Sequence, residues 1–287
     1  MNFRTDLAIE RQEMLDKTDE NGVITDFYID GEVKFTKIKI TDKNGAESIG
    51  KPIGTYITAE IPSLMKRAAD NEEIINSIAK QINSLLPKKG TILVVGLGND
   101  EITPDAVGPD SVSMILSTRH IEKSELASLG LGDLRSVAGF VPGVLGKTGV
   151  EAAESIYGMV KSVNPSAVIV IDALAARRVS RLGNTVQMSD TGIVPGSGVG
   201  NSRSAIDQKS LGVPVISIGV PTVVDALTLV SDFAPNCNID EISSNMIVTP
   251  REIDLVVQRS AEIIALSINR ALQPHLSVEE LLMLVGN

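Results

Sequence analysis

Residues 94–109 read VVGLGNDEITPDAVGP: an apolar run closes on Gly96, a second glycine follows at Gly98, and Asp105 stands between Pro104 and Pro109. Extended back to TILVVG (91–96), the run is what a strand buried on both faces looks like. Two more such runs follow, AVIVID at 167–172 and PVISIG at 214–219, each ending in a carboxylate or glycine. Helix-length stretches separate them, which predicts βαβ crossovers, a parallel sheet and the α/β class. VEAAESIYGMVKSV (150–163) reads as a crossover helix ended by Asn164 and Pro165. TPREIDLVVQRSAEIIALSINRAL (249–272) reads as a long C-terminal helix with Thr249 at its cap and Pro250 in its first turn.

Upstream the texture differs. FYIDGEVKFTKIKI (27–40) alternates apolar and polar residues around Asp30-Gly31, a strong hairpin signal, and GTYITAEIP (54–62) predicts a further strand. Residues 23–60 are therefore expected to be antiparallel. NEEIINSIAKQINSLL (71–86) places Ile and Leu at helical spacing after an Asn cap, and PKKG breaks it. We take residues 1–287 as one α/β domain. Residues 177–212 are rich in Gly, Ser, Thr and Asn and are read as a long functional or disordered loop.

The chain carries 26 Lys and Arg against 36 Asp and Glu, a net charge of −10, which argues against binding the phosphate backbone of a nucleic acid. With 43% apolar residues, 3% aromatics and no Trp, its core must be aliphatic. No apolar run approaches the roughly 18 residues that span a bilayer, and MNFRTDLAIERQEM lacks the layout of a signal peptide. A cytoplasmic protein without a membrane partner is expected. Cys237 alone makes no internal disulfide, and two histidines give no Cys/His cluster for a structural metal.

In open parallel sheets, ligands bind beyond the carboxyl ends of the strands. Asp105 and Asp172 stand there, and on neighbouring strands they would share a crevice suited to general acid/base work on water. The alternative is that each caps a helix, starting near Ala106 and Ala173. GLGN (96–99) is half of a dinucleotide fingerprint, but Pro104 removes an amide that a phosphate cradle would use. SDTGIVPGSGVGN (189–201) has glycines at 192, 196, 198 and 200, giving either a flexible turn or an amide-lined wall that orients a peptide. Asp225, ending the third strand run, is read as a helix cap or a support for the pair. His120 is read as a helix-terminus charge and His275 as structural or solvated; Ser197 and Ser202 lack a base, so a serine triad is poorly supported.

Taken in order, RTDLAIE, VVGLGN…TPDAVGP, TRH, PGVLGKTGVEAAESIYGMV, VIVIDALAARR, SDTGIVPGSGVGN, PVISIGVPTVVDALT and MIVTPREID closely resemble the germination protease family of endospore-forming bacteria. The resemblance implies a protease that degrades small acid-soluble spore proteins next to a glutamate, with no cofactor and no metal, working as a homotetramer in the spore core. It implies a precursor that removes a short N-terminal segment, residues 1–6 here, at the bond between Asp6 and Leu7. It also implies Asp105 and Asp172 as an atypical aspartic pair, and a phosphorylase/hydrolase-like fold, as in hydrogenase-maturation endopeptidases. In those relatives acids at comparable positions hold a metal, so a metal-dependent maturation peptidase stands as one alternative and a non-catalytic peptide-binding module as another. Arg177 is a candidate partner for the substrate glutamate, with a surface salt bridge as its other reading, and Gly196, Ser197 and Gly198 are candidates for holding substrate.

Overall fold

A computed structural model describes residues 4–15, 22–62, 70–122, 134–200, 203–234 and 246–285. Its elements run α1 (Ala8–Glu13), β1 (Val23–Asp30), β2 (Val33–Ile40), α2 (Lys43–Ile49), β3 (Gly54–Glu60), α3 (Glu72–Leu85), β4 (Ile92–Gly96), α4 (Val107–Ser113) and β5 (Val137–Phe140). There follow α5 (Leu145–Thr148), α6 (Ala152–Val163), β6 (Ala167–Ala176), β7 (Thr185–Ser189), α7 (Gln208–Leu211), β8 (Val215–Asp225), α8 (Ala226–Phe233), β9 (Ile247–Val248), α9 (Ile253–Leu272) and α10 (Val278–Val285).

One mixed sheet, ordered β1-β2-β3-β7-β8-β6-β4-β5 with β9 beside β8, carries the molecule. β8, β6, β4 and β5 run parallel, as the three apolar runs predict. The antiparallel region reaches further than the hairpin foretells, because β7 pairs antiparallel with both β3 and β8. β7 lies inside the stretch 177–212 read as loop, which also contains the capped helix α7. Its five residues TVQMS are too few and too polar to advertise a strand, and pairing on both sides supplies what propensity does not.

Alternation within the strands sorts the core. Ile92, Val94, Ile169, Ile171, Val186 and Met188 face the layer made by α3, α4 and α9. Leu93, Val95, Val168 and Val170 face Ile156 and Val160 of α6 and Leu211 of α7. On that second face the antiparallel half is covered differently: Leu7, Ala8 and Ile9 pack against Ile38, Ile40, Tyr56, Leu174 and Val224. A seam therefore runs between two coverings of the same sheet face.

α6 ends at Asn164, whose left-handed φ of 51° closes it as the sequence predicts. The long C-terminal helix starts at Ile253, one turn later than the predicted cap. Thr249 does not cap it, because its hydroxyl donates to Thr222 O (3.0 Å) and holds the chain near the β8/β9 pairing. No described helix is long and apolar enough to cross a membrane.

Candidate active site

From β4 the chain goes first to β5 on one side and then, through α6, to β6 on the other, so a crevice opens beyond the carboxyl ends of β4 and β6. Asp105 and Asp172 line one cavity of about 320 Å³ at this rim, with Gly98, Pro104, Thr222 and Arg203.

The rigidity around Asp105 has local causes. Its own N–H donates to Ile102 O (2.7 Å), its Oδ2 accepts from Asn99 N (2.9 Å), and Thr222 Oγ1 donates to Pro104 O (2.7 Å). Gly98 adopts φ +114°, and a Cβ there would lie 1.9 Å from Asp105 O. Gly96 and Gly108 let the first turn of α4 lie against the end of β4: a Cβ on Gly108 would meet Leu97 O at 2.1 Å and Ile171 O at 2.7 Å. The helix-cap readings fail for both acids. No side chain caps α4, and β6 continues through Asp172 to Ala176, so no helix begins at Ala173. Asp225 does cap α8, accepting from Thr228 N (3.0 Å), and also pairs with Arg4 (3.1 Å).

Asp172 is 6% exposed and accepts a hydrogen bond from the Ala173 amide (3.0 Å). Burial first, then the charges of Asp105 and Asp6, push its carboxyl well above the ordinary range. Burial also raises Asp105, against which the Asn99 amide acts. The pair thus keeps a proton into a pH range where exposed aspartates have lost theirs.

Residues 4–8 occupy the seam. Asp6 N donates to Ala175 O (2.9 Å); Asp6 Oδ2 accepts from Ala175 N (2.9 Å) and Oδ1 from Ser197 Oγ (2.7 Å). A Cβ on Gly198 would lie 2.1 Å from Asp6 Oδ2, so only glycine leaves room for this carboxylate. Leu7 is fully buried, and Gln187 bonds Asp6 O and Ala8 N. Glu10, 1% exposed, anchors the following helix by accepting from the amides of Arg177 (2.6 Å) and Arg178 (2.9 Å) and from Thr5 Oγ1, and it forms an ion pair with Arg181 Nε (3.5 Å). Asp6 lines both the aspartates' cavity and a second, of about 270 Å³, that holds Lys51, Tyr56, Gln187, Ser197 and Gly219. Burial pushes the Lys51 ammonium down while the Asp6 charge draws it up.

Of the other residues the sequence singles out, Gly196 lines the larger cavity and Ser197 the smaller. The Arg177 guanidinium points elsewhere: Nε and Nη2 both donate to Asp232 Oδ1 (2.8 and 2.6 Å), and it lines neither cavity. Its backbone amide donates to Glu10 of α1 (2.6 Å). His120 and His275 are exposed, and Ser202 and Cys237 lie outside the described residues. Among the described residues, no three or more His, Cys, Asp or Glu side chains are grouped to hold a metal ion. Gln187, Lys51 and Glu10 escape sequence reasoning; Gln187 is a polar residue in a short strand, with no motif around it.

A buried and a half-buried carboxylate thus share a cavity at the sheet rim with Asp6, whose backbone is bonded to Ala175 and Gln187. The germination protease family model matches residues 4–235. Germination proteases of Caldanaerobacter subterraneus and Clostridium perfringens are 45% and 37% identical, each over 98% of this chain and 97% and 98% of theirs. That of Priestia megaterium is 43% identical over 80% of this chain and 66% of its own. The chain belongs to the germination protease family. Among solved structures, a nickel-iron hydrogenase maturation protease of Thermococcus kodakarensis is similar at 18% identity and a TM-score of 0.33, covering 66% of this chain and 98% of that one.

Proposed function

We propose that this chain is a self-processing endopeptidase that cuts its own Asp6–Leu7 bond and then small acid-soluble spore proteins, with water activated between Asp105 and Asp172. One observation carries the reading: residues 4–6, from the segment that the family resemblance marks for removal, lie in the seam, with Asp6 in the cavity of both aspartates. Asp105, the less buried and less shifted acid, acts as the ionised base, and Asp172 holds the proton. The water oxygen bonds to the carbonyl carbon of residue 6 while one of its protons passes to Asp105. The C–N bond then breaks, and the Leu7 nitrogen leaves as an amine after taking a proton from the pair.

Specificity for an acidic residue before the cut bond follows from the donors around Asp6. A backbone N–H and a hydroxyl meet its two oxygens, and Gly198 leaves the space beside them. The same reading takes the chain as a homotetramer in the spore core, where the exposed β1 residues Ile24, Phe27 and Ile29 offer apolar surface to bury.

The test is to incubate the purified chain, follow its intact mass, then add a small acid-soluble spore protein and map the new termini. Loss of residues 1–6 followed by cuts after acidic residues is expected; an unchanged mass and an intact substrate would overturn the proposal. Arg177→Ala should alter self-trimming by less than about threefold, under 1 kcal/mol of barrier, because its guanidinium serves Asp232. A loss of rate with wild-type stability would return Arg177 to the site.

A further inference from the structure

We infer that Gln187 is a catalytic residue of this site, its carboxamide clamping the Asp6–Leu7 linkage and donating to the carbonyl on which charge builds as the bond is cut. The inference rests on reading residues 4–8 as the chain's own first substrate. Nε2 donates to Asp6 O (2.9 Å) and Oε1 accepts from Ala8 N (2.6 Å). Only one orientation of the amide satisfies both partners, since a carbonyl only accepts and an N–H only donates. The side chain is firmly held: Gln187 is 8% exposed on a strand paired on both sides.

Register places it opposite the aspartates. Gln187 pairs with Gly219, and Gly219 with Asp172, forming one row across β7, β8 and β6. Paired residues present their side chains to the same sheet face, and two strand spacings separate the row's ends by roughly 10 Å. Gly219 leaves the middle of the row without a side chain, and Asp6 lines the cavities on both sides of it. The linkage thus has a neutral donor on one side and the carboxylate pair on the other. When the water oxygen bonds to the carbonyl carbon, the π pair moves onto Asp6 O, where the Nε2–H already points. Collapse of that pair restores the carbonyl and expels the Leu7 nitrogen, so the donor is needed most between the two events. Because the contacts are to backbone, any extended substrate presents the same carbonyl and the same N–H two residues on, and the clamp sets its register.

The test follows loss of residues 1–6 from the full chain in native, Gln187→Met and Gln187→Glu proteins, with thermal unfolding recorded for each. Met, similar in size and unable to reproduce either bond, should slow trimming by about 10²- to 10³-fold. In Gln187→Glu the neutral acid restores the donor and acceptor and the ionised form does not. Its rate relative to the native chain at the same pH should therefore climb at least about tenfold as pH falls, while the Met ratio stays flat. A general loss of stability would not produce that pH-dependent rescue. Native-like rates in Gln187→Met, or a Glu ratio independent of pH, would overturn the role of Gln187 and leave the self-cutting reading standing. A folded native chain that never releases residues 1–6 would remove both.

Discussion

Replacing Asp172 by Asn should stop self-trimming on the proposed reading: the rate of loss of residues 1–6 is expected to fall by about 10²- to 10⁴-fold, the span that one general acid/base group supplies. Asp105→Asn should fall as far, because the cavity's other two acids are committed elsewhere: Asp6 belongs to the segment being cut, and Glu151 pairs with Arg203 (3.4 Å). The two variants differ in stability. The folded-state pKa of Asp172 lies above its unfolded value, so its contribution is fully present below the unfolded pKa and is lost as pH rises through the folded one. Asp172→Asn escapes that loss. Its melting temperature should match the native chain in acid and exceed it increasingly as pH rises past the ordinary carboxyl range, near 4. A variant that trims at full rate would remove that residue from the mechanism, and a stability difference that does not change with pH would mean Asp172 is not buried as a strained charge.

Gly108→Ala should be strongly destabilising. The added methyl would meet Leu97 O at 2.1 Å, Leu97 N at 2.6 Å and Ile171 O at 2.7 Å, all backbone atoms of the sheet rim, so no side chain can turn aside to admit it. Overpacking of this kind costs about 3 kcal/mol or more, which lowers the melting point of a chain this size by roughly 2–4 °C for each kcal/mol. Gly158→Ala is the contrast. Nothing lies within 4 Å of a Cβ there, in the middle of α6, and the exchange should stabilise by about 0.5–1 kcal/mol. Equal melting temperatures for the two variants would show that α4 does not press on β4.

Much of this was legible in the residues. The continuous apolar runs mark β4, β6 and β8 because a strand buried on both faces needs apolar side chains in either direction, and Leu93 and Val94 do point to opposite layers. Strand-end logic likewise selects Asp105 and Asp172. What stays hidden depends on pairing across distance. β7 exists because β3 and β8 flank it, and Gln187 matters because the row it joins contains Gly219 and Asp172. Arg177 illustrates the reverse: it follows directly on the strand that carries Asp172, yet Asp232, 55 residues further along, takes its guanidinium. The helix-cap reading of Asp172 fails on strand length, since β6 runs four residues beyond the acid before it ends.

On the proposed reading, the seat of Asp6 at the junction of the two hollows also sets what the enzyme can attack. While the leader is in place it plugs the middle of the rim; once it departs, the hollows join into one trench bordered by Ser197 and Gly198 on one bank and Gln187 on the other. A polypeptide can follow the leader there only if it is slack enough to lie fully stretched, offering a lone acid to a slot sized by a missing methyl. Compact proteins would pass by unharmed, so conformational looseness in the target would be screened before its sequence is.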